Sequence, residues 1–74
     1  MEIYFTPPEI SEWCTANQLR EIYNVSYKGD GWYTLENGDY ALIINRHGKS
    51  KIHVWIKEDP RDTFEKVLDL PTFN

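Results

Sequence analysis

One thiol and two imidazoles, Cys14, His47 and His53, are the only cysteine and histidine side chains in these 74 residues. A catalytic nucleophile needs a positioned base beside it. Cys14 shares an apolar helical face with Ile10 and Trp13 in the spacing of this stretch, which reads as a core position. His47 falls in a turn and reads as solvated, and His53 lies on a strand between Lys51 and Trp55. A structural zinc site takes about four Cys or His ligands, and Cys14 stands far in sequence from both histidines. Glu58, Asp59 and Asp62 gather where a last helix should begin, and capping with the helix dipole accounts for them. The chain holds no G-x-S-x-G, no phosphate-cradling glycine loop and no H-E-x-x-H. The sequence therefore predicts a protein that is not an enzyme and needs no metal or cofactor.

Binding chemistry is better represented. Residues 45–57 carry Arg46, Lys49, Lys51 and Lys57 with no acid among them, while the other 61 residues hold four bases against twelve acids, or −8. A basic hairpin beside exposed aromatics is a pattern that attracts a phosphate backbone and stacks bases. The overall charge of −4 and a pI near 5.0 argue against a general nucleic-acid or anionic-membrane binder. No apolar run approaches the roughly 18 residues of a membrane span, and no basic stretch followed by an apolar one opens the chain. With its single cysteine, which excludes an internal disulfide, the sequence predicts a cytoplasmic protein.

The elements that must position these residues fit one small domain over residues 1–74. Met1–Phe5 could form a first strand. Thr6-Pro7-Pro8-Glu9 reads as a capping box with proline in the first turn, predicting a helix over 7–14. Leu19, Ile22 and Tyr23 lie on a different helical face from Ile10, Trp13 and Cys14, so a break is expected near Thr15. Thr15-Ala16-Asn17-Gln18 then opens a second helix over 16–23. Strands follow around Val25–Tyr27, Trp32–Leu35, Tyr40–Asn45 and Ser50–Lys57, and Asp59-Pro60 should start a C-terminal helix that ends at Leu70-Pro71. The predicted fold is α+β: a three- to four-stranded antiparallel meander with two short N-terminal helices and one C-terminal helix.

The turns set the expected register. Asn37-Gly38 predicts a two-residue type I′ hairpin pairing Tyr33 with Leu42 and Trp32 with Ile43. Gly48 predicts a three-residue loop pairing Leu42 with Ile52. One face then carries Tyr33, Leu35, Tyr40, Leu42, Ile44, Ile52, Val54 and Ile56 as the core. The other carries Trp32, Thr34, Ala41, Ile43, Asn45, Lys51, His53, Trp55 and Lys57. A one-sided sheet would be polar there. Two tryptophans and an isoleucine on that face call for a cover: the chain's own ends, a second copy, or a partner.

The functional expectation is a non-catalytic protein-interaction module, a small modulator or inhibitor of a larger protein in the manner of phage or prophage accessory proteins. Its contact patch would be Trp32, Ile43, His53 and Trp55, steered by Arg46 and Lys49. A nucleic-acid binder using the basic 45–57 hairpin is the alternative, and a homodimer stays open. A winged helix-turn-helix fits less well, because the helix over 16–23 offers only Arg20 as a base, beside Glu21.

Overall fold

Thr15 starts a helix because its backbone is extended (φ −85°, ψ 165°) and its hydroxyl accepts from the N–H of Gln18, whose side chain accepts in return from the Thr15 N–H. The computed structural model describes residues 8–26, 28–61 and 69–73. Helix α1 runs Ala16–Tyr23 and ends on Asn24 in the left-handed conformation (φ 53°). It buries Leu19 completely against the sheet.

The sheet has five strands: β1 Ile10–Cys14, β2 Gly31–Thr34, β3 Tyr40–Arg46, β4 Lys49–Trp55 and β5 Thr72–Phe73. Their order is β1-β4-β3-β2-β5, with β5 parallel to β2 and all other pairs antiparallel. This overturns the expectation of three to four antiparallel strands with three helices: the sheet is mixed and five-stranded, and α1 is the one helix that lies wholly among the described residues.

The expected helix over 7–14 is instead β1. The apolar side chains Ile10, Trp13 and Cys14 keep helical spacing, and in the strand they are divided between two faces, with Ile10, Glu12 and Cys14 on one and Ser11 and Trp13 on the other. A helix over 7–14 would be marginal by itself, and pairing decides against it: β4 supplies partners from Val54 opposite Ile10 to Ser50 opposite Cys14. The first strand expected at Met1–Phe5 and most of the C-terminal helix lie outside the described residues. Asp59 does accept from the Arg61 N–H at 3.0 Å, as an N-cap does.

Both hairpins turn where the sequence marks them, and each has the loop length expected of the other. At the first, the Leu35 N–H donates to the Asp39 carbonyl and the Gly38 N–H to the Leu35 carbonyl, giving a three-residue loop with Gly38 left-handed at φ 93°. Buried Asp39 explains the choice. Its N–H donates to Asn37 Oδ1 (3.0 Å), and its carboxylate accepts from Asn37 Nδ2 (2.8 Å) and the Lys57 N–H (3.1 Å). At the second hairpin, His47 (φ 53°) and Gly48 (φ 77°) form the two-residue loop, with Arg46 opposite Lys49.

The two one-residue slips add to a two-residue shift between β2 and β4, with Tyr33 now aligned through Ala41 to Val54, which keeps the faces of those strands and turns over β3 alone. Tyr33, Leu35, Ile52 and Val54 face the helix as expected, joined by Ala41 and Ile43 in place of Tyr40, Leu42 and Ile44. The helix-side core is completed by Cys14, Leu19 and Val25. On the other face Trp32, Leu42 and Trp55 form a second buried cluster against Ile44 and Leu70.

Asp39→Ala should cost about 1–3 kcal/mol, because the Lys57 N–H loses its carboxylate partner and the turn loses its internal ties. A fall in the urea midpoint at constant slope checks this; an unchanged midpoint would refute the role given to Asp39.

Candidate binding surface

The sheet face opposite α1 is divided into a closed half and an open half. In the closed half, Trp32 is 5% exposed and Trp55 3%, their ring centroids 5.8 Å apart. Leu70 packs on this cluster, and the Pro71 carbonyl accepts from the Trp32 N–H at 2.8 Å. Of the three covers weighed for this face, the chain's own end takes the place: the C-terminal segment helps to close that half, so Trp32 and Trp55 are corrected from contact residues to buried ones. Ile43 is corrected as well, since the turned-over β3 carries it to the helix side, where it is wholly buried.

The open half lies toward the β3–β4 turn and the outer strand β1. Strand alternation and register put Arg46, Lys49, Lys51 and His53 on it, and β1 adds Ser11 and Trp13. Trp13 stands opposite Lys51, is 50% exposed, and has the Lys51 ammonium 5.4 Å from its ring centroid. An open depression of about 560 Å³ is lined by Trp13, Arg46, His47 and Lys49. The base of the hairpin is braced from below: Asn45 donates from its backbone and side chain to Asp30, and Ser50 donates to Asn45 Oδ1 at 2.7 Å.

Of the expected contact residues, the structure thus brings Arg46, Lys49 and His53 to one surface, and sets Trp32 and Trp55 beneath its closed neighbour. Trp13 was missed. Its place beside Lys51 depends on pairing between strands far apart in sequence, and the helical spacing of Ile10, Trp13 and Cys14 pointed inward.

Three cations carry the charge of this surface. His53 is half-buried and shares a hydrogen bond of 3.2 Å with Ser11 through Nδ1. Burial, with the Lys51 ammonium beside it, lowers its pKa below the usual histidine value, so it is neutral at pH 7. The Ser11–His53 hydrogen bond ties β1 to β4. Cys14 is 5% exposed and its Sγ donates to the Ser50 carbonyl. Burial, then the Glu12 carboxylate, raises its pKa and keeps it a thiol. Among the described residues no group of three or more His, Cys, Asp or Glu side chains could hold a metal, and no helix is long and apolar enough to cross a membrane.

A hydrophobic aromatic with three flanking cations can hold an anionic partner through ion pairing while the indole supplies apolar contact. No protein-family model, curated protein or solved structure matches this chain.

Proposed function

We propose that this chain is a non-catalytic protein-interaction module, a small modulator of a larger protein, that engages an acidic site through the open half of its sheet. The observation that carries this reading is Trp13, half exposed under the Lys51 ammonium and beside Arg46 and Lys49. Tryptophan and arginine are the side chains most enriched at binding hot spots. The unpaired cysteine suits action in a reducing cytoplasm.

Single-stranded nucleic acid is the second reading, favoured by an exposed indole that a base could stack on. Charge weighs against it. The basic span is local, and the remaining −8 would repel a polyanion running beyond it, whereas a short acidic patch on a protein meets the cations alone.

The test uses a ten-residue oligoglutamate and a ten-nucleotide oligothymidylate, each titrated at low and moderate salt while the Trp13 indole N–H is followed by NMR. The expected result is saturable, salt-sensitive binding of the peptide that Lys49→Glu with Lys51→Glu abolishes while circular dichroism stays unchanged. No saturation by the peptide would overturn the proposal. Tighter binding of the oligothymidylate would replace it with the nucleic-acid reading.

A further inference from the structure

Among the described residues, the two edges of the sheet are unequal. At one edge, β5 has two residues and directly follows Pro71, which has no N–H to offer an incoming strand. At the other edge, β1 has five residues, of which the first four are exposed. Natural edges are blunted by proline, by charged side chains, lysine above all, by charges that point inward, by bulges or by extreme shortness; β1 has one of these, Glu12, which guards its helix side alone. Ile10-Ser11-Glu12-Trp13-Cys14 contains neither proline nor lysine, and its register against β4 runs without a break from Ile10 opposite Val54 to Cys14 opposite Ser50. The one charge in the strand, Glu12, faces the helix side, where it accepts from the Tyr23 hydroxyl at 2.7 Å. Burial, together with that bond, pushes the Tyr23 phenol up to about 12.

We infer that β1 is a docking edge and that the partner's acidic segment adds to it as a sixth strand, a conclusion that rests on the protein-binding reading above. The two faces beside β1 specify the pattern of the segment. On the open face, its alternate side chains would lie next to Trp13 with Lys51 behind, and carboxylates there meet cations. On the helix side, they would lie next to Ile10, 39% exposed, which lines a depression of about 310 Å³ together with Ile22, 63% exposed. Glu12 repels a carboxylate on that side, so apolar side chains belong there. The partner segment is a strand that alternates acidic and apolar residues, held by main-chain hydrogen bonds with specificity from alternate side chains. A second copy is a poorer occupant, because antiparallel self-pairing centred on the middle of β1 sets Glu12 opposite Glu12.

The probe is a seven-residue peptide of alternating valine and aspartate with blocked ends, and two versions of it carrying N-methyl groups on one or the other set of alternate residues. A strand bonds its neighbour through only one of those sets. The expected result is that the parent peptide binds the intact protein, slows hydrogen exchange of β1 amides, and loses about tenfold or more in affinity in one N-methyl version only. Equal binding of all three peptides, with binding still lost in Lys49→Glu with Lys51→Glu, would overturn strand addition and leave the interaction surface standing. Failure of the parent peptide, with oligoglutamate bound, would overturn it too. Failure of both acidic peptides would remove the protein-binding reading along with it. Protection of β1 amides without peptide, in a protein that sediments as a dimer, would give the edge to a second copy and overturn the proposal.

Discussion

Trp55→Ala should remove about 3–5 kcal/mol of stability, a large share of the roughly 4–11 kcal/mol that a chain of this length has in total. Trp55 is 3% exposed, and its ring lies 5.8 Å from that of Trp32 at an interplanar angle of 42°, a tilted pair worth about 0.5–1.5 kcal/mol beyond area burial. Truncation would open a void between Leu42, Ile44 and Leu70 that these side chains cannot fill without moving the C-terminal segment. Trp13→Ala is the contrast. Half of Trp13 is already in water, and its contact with Lys51 is an exposed cation–π pair, so the loss should stay within about 1 kcal/mol. Urea unfolding of the two variants, followed by far-ultraviolet circular dichroism, measures both. A Trp55→Ala protein within 1 kcal/mol of the parent would mean that the closed half is open after all, and the patch of Trp32 and Trp55 would return as a binding surface.

What could be read from the sequence was mostly local. The capping box at Thr15 and Gln18 closes over three residues, so helix α1 was legible with both its ends. The alternation within β2 and β4 placed Tyr33, Leu35, Ile52 and Val54 on the core side, because two one-residue errors that add to a shift of two leave the faces of those strands unchanged. The turn positions were legible from Asn37-Gly38 and His47-Gly48, but their lengths were not. Loop length at Gly38 follows from the demand of buried Asp39 for donors, one of which, the Lys57 N–H, comes from 18 residues away. Histidine is one of the few side chains that enter the left-handed region with any frequency, which lets His47 take the first position of the tight loop. Strand β1 was illegible because apolar side chains at positions 10, 13 and 14 follow the helical period and not the alternation of a strand, and pairing with β4, distant in sequence, overrides that local pattern. The candidate surface inherits that blindness. Arg46, Lys49 and Lys51 announced themselves as a basic hairpin, but the aromatic beside them was sought in the neighbouring strands and came from β1. The chain's own ends were among the covers weighed for Trp32, but that the C-terminal end pairs as a strand was not legible: two residues of parallel strand after a proline leave almost no pattern.

The same short strand explains why Gly31→Ala should be the most disruptive single methyl that can be added to this chain among the described glycines. A Cβ at Gly31 would lie 2.6 Å from the Pro71 carbonyl oxygen and 2.8 Å from the Phe73 ring. The ring could swing aside, although it packs on Tyr33 with centroids 5.1 Å apart. The carbonyl cannot, because it is main chain and accepts from the Trp32 N–H. Relief requires β5 to leave β2, and with it the Pro71 bond and the cover that Leu70 lends to Trp32 and Trp55. The expected cost is about 1–3 kcal/mol, with a red shift of tryptophan emission and faster cleavage of the C-terminus by carboxypeptidase. Gly29→Ala is the control. Its φ of 104° disfavours a side chain, but a Cβ there would touch nothing within 4 Å. It should lose about 1–2 kcal/mol from backbone strain and leave tryptophan emission where it was. Because β5 and β1 lie at opposite edges, Gly31→Ala protein that remains folded should still bind the acidic peptide. Unshifted emission with stability within 0.5 kcal/mol of the parent would show that β5 does not hold the closed half shut.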